Sequence, residues 1–92
     1  MIVSFRSKAL ADLWRQGNTS KIDGRMHARI LRRLDALNAA TKIESLNVPG
    51  FDFHSLRGFS PTRYTIHVNG PWCITFCLFE GDATEIDFEQ YH

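Results

Sequence analysis

The chain has 92 residues, of which 43% are hydrophobic and 23% are charged. This length supplies one compact core and leaves no room for a second domain, so we predict a single domain over residues 1–92. Eleven Lys and Arg residues against ten Asp and Glu residues give a net charge of +1. That balance excludes a disordered polyelectrolyte. It also means that the net charge alone gives no support for a nucleic-acid partner.

The charge is unevenly divided along the chain. Residues 1–42 hold nine basic and three acidic residues, a net charge of +6, whereas residues 43–92 hold two and seven, a net charge of −5. No segment reaches the roughly 18 apolar residues that a membrane span needs, and the apolar start is too short for a signal peptide. We therefore expect a cytoplasmic protein without a membrane partner.

Two helices are predicted in the basic half. The first covers residues 7–16, with Ser7 as its N-cap and Gly17 ending it. Asp23 is the predicted N-cap of a longer helix with apolar residues every three or four positions. Its other positions are mostly cationic: Arg25, His27, Arg29, Arg32 and Arg33. The T-x-x-E pattern at residues 41–44 predicts a capping box that opens one more short turn.

After Pro49 the apolar period changes to the alternation that is typical of β-strands. The alternating segments are residues 51–54, 63–68, 72–79 and 84–88, with turns at 58–61, 69–71 and 80–82. The predicted fold class is therefore α+β, with two N-terminal helices packed on one face of a small antiparallel sheet of three to five strands.

The two cysteines, Cys73 and Cys77, lie in one predicted strand. Four residues apart on a strand, they are separated by about 13 Å at ~3.3 Å per residue, beyond the ~7 Å limit for a disulfide. The same separation keeps both from one zinc ion. We expect neither a disulfide nor a metal site, and the sequence indicates no cofactor.

The histidines are candidates for proton transfer, because imidazole titrates near neutral pH. His27 lies mid-helix among arginines and His67 on the polar side of a strand, so both are expected to be solvent-exposed. His54 can project from the sheet close to a guanidinium, and His92 follows Tyr91 straight off the last strand. Two histidines, a tyrosine and arginines could cleave RNA without a metal; the alternative is that they are ordinary exposed polar residues.

Six segments match known family motifs in order. They are residues 1–5 (M-I-x-S-F), 34–41 (L-x-x-L-x-x-A), 53–58 (x-H-x-L-K/R-G), 64–69 (x-S-I-R-V-N), 72–76 (W-R-I-x-F) and 91–92 (the end of D-Y-H). Over nearly its full length the chain thus resembles the HigB-type toxins of the RelE superfamily, also called plasmid maintenance system killer proteins. The likeness implies two helices packed on an antiparallel sheet with mixed strand order.

The resemblance also implies a function. Such toxins belong to type II toxin–antitoxin systems and cut messenger RNA in the ribosomal A site. A helix-turn-helix antitoxin of the HigA type holds them inactive, and they contact DNA only through that antitoxin. Matching positions make His54 and His92 the acid/base pair, with either order possible, Tyr91 a residue that orients or stacks on the substrate and Arg57 a phosphate contact. Gln90 stands where an acidic residue is common. The helix arginines Arg25, Arg29, Arg32 and Arg33 would face ribosomal RNA.

Departures from the family pattern leave alternatives open. Cys73 stands where the family has an arginine that stabilises the cleaved phosphate, and His67 replaces another arginine. Losing one transition-state donor costs about 10² to 10³ in rate, and Arg63 on the neighbouring strand could supply the missing charge. The chain is therefore either an active ribonuclease or a catalytically attenuated module that mainly binds its antitoxin. A general RNA-binding domain is a third, weaker alternative.

Overall fold

The structure, a computed structural model, describes residues 1–90, so the candidates Tyr91 and His92 lie outside the described residues. Within that range the chain forms two α-helices and one four-stranded antiparallel sheet. The elements are α1 (Lys8–Gln16), α2 (His27–Ala39), β1 (His54–Leu56), β2 (Arg63–Asn69), β3 (Trp72–Phe79) and β4 (Asp82–Gln90). The predicted α+β class is confirmed. None of the described helices is long and apolar enough to cross a membrane.

The four strands pair in chain order, β1-β2-β3-β4. The mixed order that the resemblance implies is therefore wrong for these strands, because short turns connect them as a meander. Only the N-terminal segment departs from chain order, since it lies parallel to β4 through the bridges Ile2–Ala83 and Phe5–Ile86. Its contact is continued by the Val3 N–H, which donates to the Ala83 carbonyl at 2.8 Å.

Local capping signals mark the start of α1 and of the turn that leads into α2. The Ser7 hydroxyl accepts the Leu10 N–H at 3.1 Å, and Gly17 ends the helix at φ 83°, as predicted. Asp23 caps a 3-10 turn, Gly24–Met26, which leads into α2.

The segment after α2 corrects one prediction. A short 3-10 helix forms at Ile43–Leu46, but its N-cap is Lys42, which makes no side-chain capping bond. The predicted capping box is therefore wrong: with the cap one residue later than Thr41, Glu44 is too close to it to occupy the third helical position.

Both helices pack on one face of the sheet. The largest fully buried apolar side chains are Leu10, Leu13, Ile30, Leu34, Leu37, Leu46, Ile66, Ile74, Phe76 and Ile86. Burying each such side chain contributes about 1.5–3 kcal/mol. The helices cover one face only, so alternate side chains of β2, β3 and β4 point to the other face, called here the open face.

A β-bulge in β4 shapes the open face. Thr75 opposes Asp87, whereas Cys77 opposes Thr84, so β4 has one extra residue at this point. Glu85 lies in the bulge with φ 52°. Because of the bulge, Ala83 and Ile86 both reach the core, although the sequence pattern predicted uninterrupted alternation over residues 84–88.

Candidate active site

The strand register arranges the side chains of the open face in rows. Cross-strand partners on an antiparallel sheet lie side by side on the same face. One row runs His54, Thr65, Thr75 and Asp87; the next runs His67, Cys73 and Glu89; a third runs Leu56, Arg63, Cys77 and Thr84. The predicted placement of both cysteines on one strand is confirmed, with Cys73 buried and Cys77 half-buried.

A cavity of about 220 Å³ opens at the β1 side of this face. Its lining residues are Asp52, His54, Leu56, Thr65, His67, Gly70 and Cys73. Two sequence-predicted site residues, His54 and Cys73, thus meet in one cavity although they are 19 positions apart. Among the described residues, no group of three or more His, Cys, Asp and Glu side chains is arranged to hold a metal ion.

The tautomer of His54 follows from its hydrogen bond. Its Nδ1 lies 2.7 Å from the carbonyl oxygen of Asp52. A carbonyl can only accept, so Nδ1 carries the hydrogen, and in the neutral ring Nε2 carries the lone pair. Asp52 adopts the left-handed conformation with φ 47°, uncommon for a residue with a side chain. This turn orients an exposed imidazole with Nε2 able to accept a proton.

The histidines expected to be solvent-exposed are both half-buried. His67 lines the cavity, and its Nε2 donates to the Gly70 carbonyl at 2.9 Å. On the helical side His27 Nε2 lies 2.9 Å from the Ile22 carbonyl. The expectation that both are solvent-exposed is corrected to partial burial, because each ring bonds a carbonyl three to five residues away.

Arg63 is buried, with 4% of its surface exposed, and its guanidinium binds the protein itself. Nη2 donates to the Thr75 hydroxyl and to the Glu85 carbonyl, each at 2.9 Å, and Nη1 approaches Cys77 Sγ at 3.5 Å. The Thr75 hydroxyl in turn donates to the Glu89 carboxylate. The bulge at Glu85 exposes the carbonyl that Arg63 uses.

Arg33 is the second buried arginine. Its Nε donates to the His67 carbonyl at 2.6 Å, its Nη1 donates to the Arg29 carbonyl at 3.1 Å, and its guanidinium lies 4.9 Å from the centre of the Phe51 ring. Burial lowers the pKa of Arg33, and the nearby charges of Arg29 and Arg32 act in the same direction. Arg33 therefore joins α2 to the strand that carries one wall of the cavity.

The remaining predicted site residues lie outside the cavity. Arg25 is exposed and pairs with the Asp23 carboxylate at 2.7 Å, whereas Arg29 and Arg32 are exposed along α2. Arg57 is exposed in the loop after β1. Gln90 ends β4, where strand alternation directs its side chain to the face opposite that of Glu89.

Sequence reasoning missed three polar residues of the open face, Thr65, Thr75 and Glu89. Threonines are common in strands, so these residues carry no signal by themselves. Alternation does place Thr65 and Thr75 on the polar side of their strands, and a correct pairing register would have put Thr65 next to His54 and Thr75 next to Thr65.

Comparisons with known proteins settle the family. The family model of HigB-like toxins, described as RelE-like toxins of the type II toxin–antitoxin system HigB, matches residues 3–92. The chain belongs to this family. It is 38% identical over 92 residues to Endoribonuclease HigB of Proteus vulgaris, and the alignment covers all of both chains. The resemblance inferred from the motifs is confirmed, and membership of this toxin family implies an antitoxin partner.

Proposed function

We propose that this chain is an endoribonuclease that acts in the cytoplasm, cleaving messenger RNA in the ribosomal A site, and that a HigA-type helix-turn-helix antitoxin inactivates it. The full-length similarity to a protein named Endoribonuclease HigB supports this proposal. The observation that carries it is the His54 Nδ1 bond to the Asp52 carbonyl, which leaves Nε2 as a proton acceptor at a cavity.

The proposed chemistry needs no metal. His54 Nε2 takes the proton of a ribose 2′-hydroxyl, and the 2′-oxygen attacks the adjacent phosphorus. The bond from phosphorus to the 5′-oxygen breaks, leaving a 2′,3′-cyclic phosphate and a 5′-hydroxyl. His92 is proposed to donate the proton to the leaving oxygen, with Tyr91 orienting the substrate and Arg57 binding phosphate.

The ribosome contact is proposed to use the exposed arginines of the helical half: Arg25, Arg29 and Arg32. Phosphate contacts by guanidinium groups are independent of sequence and weaken as salt rises. Arg33 and Arg63, which the sequence also nominated, are buried and bonded internally. We assign Arg33 to holding the cavity wall at His67, and Arg63 to joining β2 to β3 and β4.

The attenuated module is retained as a second candidate because of one observation. Cys73 lines the cavity at 6% exposure, at the position of the family arginine. A neutral thiol cannot supply the bidentate charge of a guanidinium. In this candidate the chain binds its antitoxin tightly and cleaves little RNA.

A translation assay with purified ribosomes separates these candidates. The proposal expects cleavage products that map to the A-site codon, with little cleavage of the same RNA when ribosomes are omitted. His54→Ala should abolish the products, whereas His27→Ala should not, since that ring bonds a carbonyl on the helical side. Tight antitoxin binding without cleavage would favour the module, and ribosome-independent RNA binding would favour a general RNA-binding domain.

Deletion of the last two residues tests the proposed partners of His54. If Tyr91 and His92 take part in the reaction, the chain ending at Gln90 should lose cleavage while it still binds the antitoxin. Full cleavage by the shortened chain would remove both residues from the mechanism.

A further inference from the structure

The hydroxyl of Thr65 is a buried polar group without a hydrogen-bond partner among residues 1–90. Thr65 is 2% exposed. Buried hydroxyl groups are nearly always paired, because an unpaired one loses its bonds to water and gains nothing in return. An unpaired hydroxyl in the interior of a domain therefore needs an explanation.

Its position supplies one. Thr65 is the direct cross-strand partner of His54 and lines the same cavity. Side chains paired in this way have Cβ atoms about 4.5–5.5 Å apart. On its other side stands Thr75, whose hydroxyl is already engaged by Arg63 and Glu89. The unpaired hydroxyl thus adjoins the proposed base.

Charges of both signs surround the hydroxyl: Asp52 lines the same cavity, Glu89 is bonded to Thr75, and one buried cation lies on the same strand. Arg63 lies two positions away on the same strand face, about 7 Å along the strand at ~3.4 Å per residue. Its positive charge is buried, so it is weakly screened by solvent. His54 is exposed and Thr65 lines the same cavity, so a ligand in the cavity lies beside both residues.

We propose that the Thr65 hydroxyl donates a hydrogen bond to a non-bridging oxygen of the RNA phosphate that His54 helps to cleave. This inference rests on the proposed function, and it adds a substrate-binding residue that the sequence motifs do not supply. The hydroxyl is unpaired in the isolated chain because its acceptor arrives with the substrate. A donor held beside the reacting phosphate stabilises the charge that develops there.

The test compares Thr65→Val, which removes the hydroxyl but keeps the branched shape, with Thr65→Ser, which keeps the hydroxyl. In the ribosome assay Thr65→Val should lower kcat by about 10² or more, the usual cost of one transition-state donor. Thr65→Ser should stay within about tenfold of the parent chain. Thr84→Val is the matched control, since it removes a hydroxyl from the same face outside the cavity lining.

Thermal melting and ligand binding separate this role from a structural one. Because Thr65→Val deletes an unpaired group, its Tm should equal or exceed that of the parent. Adenosine 3′-monophosphate, titrated against the purified chain and followed by amide NMR shifts at residues 52–54, should bind at least tenfold more weakly to Thr65→Val. Two results together would overturn the inference: a lower Tm for Thr65→Val than for the parent, and a loss of activity in Thr65→Ser as large as that in Thr65→Val.

The failure of this inference can be distinguished from failure of the proposed function. If His54→Ala is inactive while Thr65→Val cleaves RNA like the parent, Thr65 does not bind the phosphate and the proposed function stands. If the parent chain itself gives no A-site cleavage, the proposed function fails; if His54→Ala remains fully active, His54 is not the base and the proposed site is wrong.

Discussion

Arg63 Nη2 lies 2.9 Å from Thr75 Oγ1, and the same hydroxyl donates to the Glu89 carboxylate. These contacts connect β2, β3 and β4 across the open face of the sheet. They also connect a buried cation to a carboxylate through one neutral hydroxyl, without a direct ion pair between Arg63 and Glu89. The positive charge of Arg63 thus partly offsets the negative charge of residues 43–92, the half of the chain in which Arg63 itself lies.

Removal of Arg63 should reduce stability. Arg63→Met keeps an apolar stem in place of the side chain but removes the guanidinium that donates to the Thr75 hydroxyl and the Glu85 carbonyl. The expected loss in the free energy of unfolding is about 1–3 kcal/mol, because two hydrogen bonds are lost but only the Thr75 side is buried and Thr75 keeps its bond to Glu89. Urea titration followed by circular dichroism measures it.

The exposed Arg57 provides the control for that experiment. Arg57→Met should change the free energy of unfolding by at most about 0.5 kcal/mol, as expected for a surface substitution. If Arg63→Met retains full stability yet abolishes cleavage, Arg63 is not a structural residue. It then supplies the charge on the phosphate that Cys73 lacks, which is the alternative left open by the sequence.

Restoring the family arginine should increase cleavage. Cys73 lines the cavity opposite His67 on the open face. We expect Cys73→Arg to raise A-site cleavage by up to about 10² to 10³, the size of one transition-state donor. Growth inhibition should rise with it. Cys73→Ser, which remains neutral, should leave both readouts near the parent level; unchanged toxicity of Cys73→Arg would contradict the idea of attenuation.

Arg32 and Arg33 are adjacent in sequence but should respond differently to the same substitution. Arg33→Met removes the bond to the His67 carbonyl and the contact with Phe51, so it should lower the free energy of unfolding by about 1–3 kcal/mol. Arg32 is exposed, and Arg32→Met should change stability by no more than about 0.5 kcal/mol.

Binding to ribosomes completes this comparison. Loss of one phosphate contact in Arg32→Met should reduce the slope of log affinity against log salt by about 0.7–0.9. Sedimentation with ribosomes at several salt concentrations measures the slope. An unchanged slope for the Arg32, Arg29 and Arg25 variants alike would show that neither α2 nor the turn before it contacts RNA.

The parts of the fold that could be predicted depend on local signals. Ser7 and Gly17 mark the ends of α1 because a cap acts within a few residues. The burial of Arg33 could not be predicted, since its acceptor on His67 lies 34 positions away and exists only after α2 packs on the sheet.

The sequence likewise predicted individual residues of the candidate site but not how they are paired. Motif likeness identified His54 and Cys73, but the pairing of His54 with Thr65 requires the strand register, which depends on long-range contacts. The bulge at Glu85 also escapes the sequence pattern, because an extra residue in one strand is visible only against its partner strand.

Stability at low pH should depend on Asp23. Its carboxylate caps the turn before α2 and binds Arg25, and these bonds lower the pKa of Asp23 from 3.8 to about 2. A carboxyl group whose pKa is depressed by folding stabilises the folded state above its unfolded pKa, near 3.8, and this contribution is lost as the pH falls toward 2.

Asp23→Asn retains the cap but removes the charge, because asparagine is an equally good N-cap. Its Tm should be lower than that of the parent at pH 6, and the difference should disappear below about pH 2. Arg25→Met provides the second half of the test, since without the guanidinium the pH-dependent effect of Asp23→Asn on Tm should shrink. A Tm difference that is constant from pH 6 to pH 2 would mean that the ion pair contributes nothing to folding.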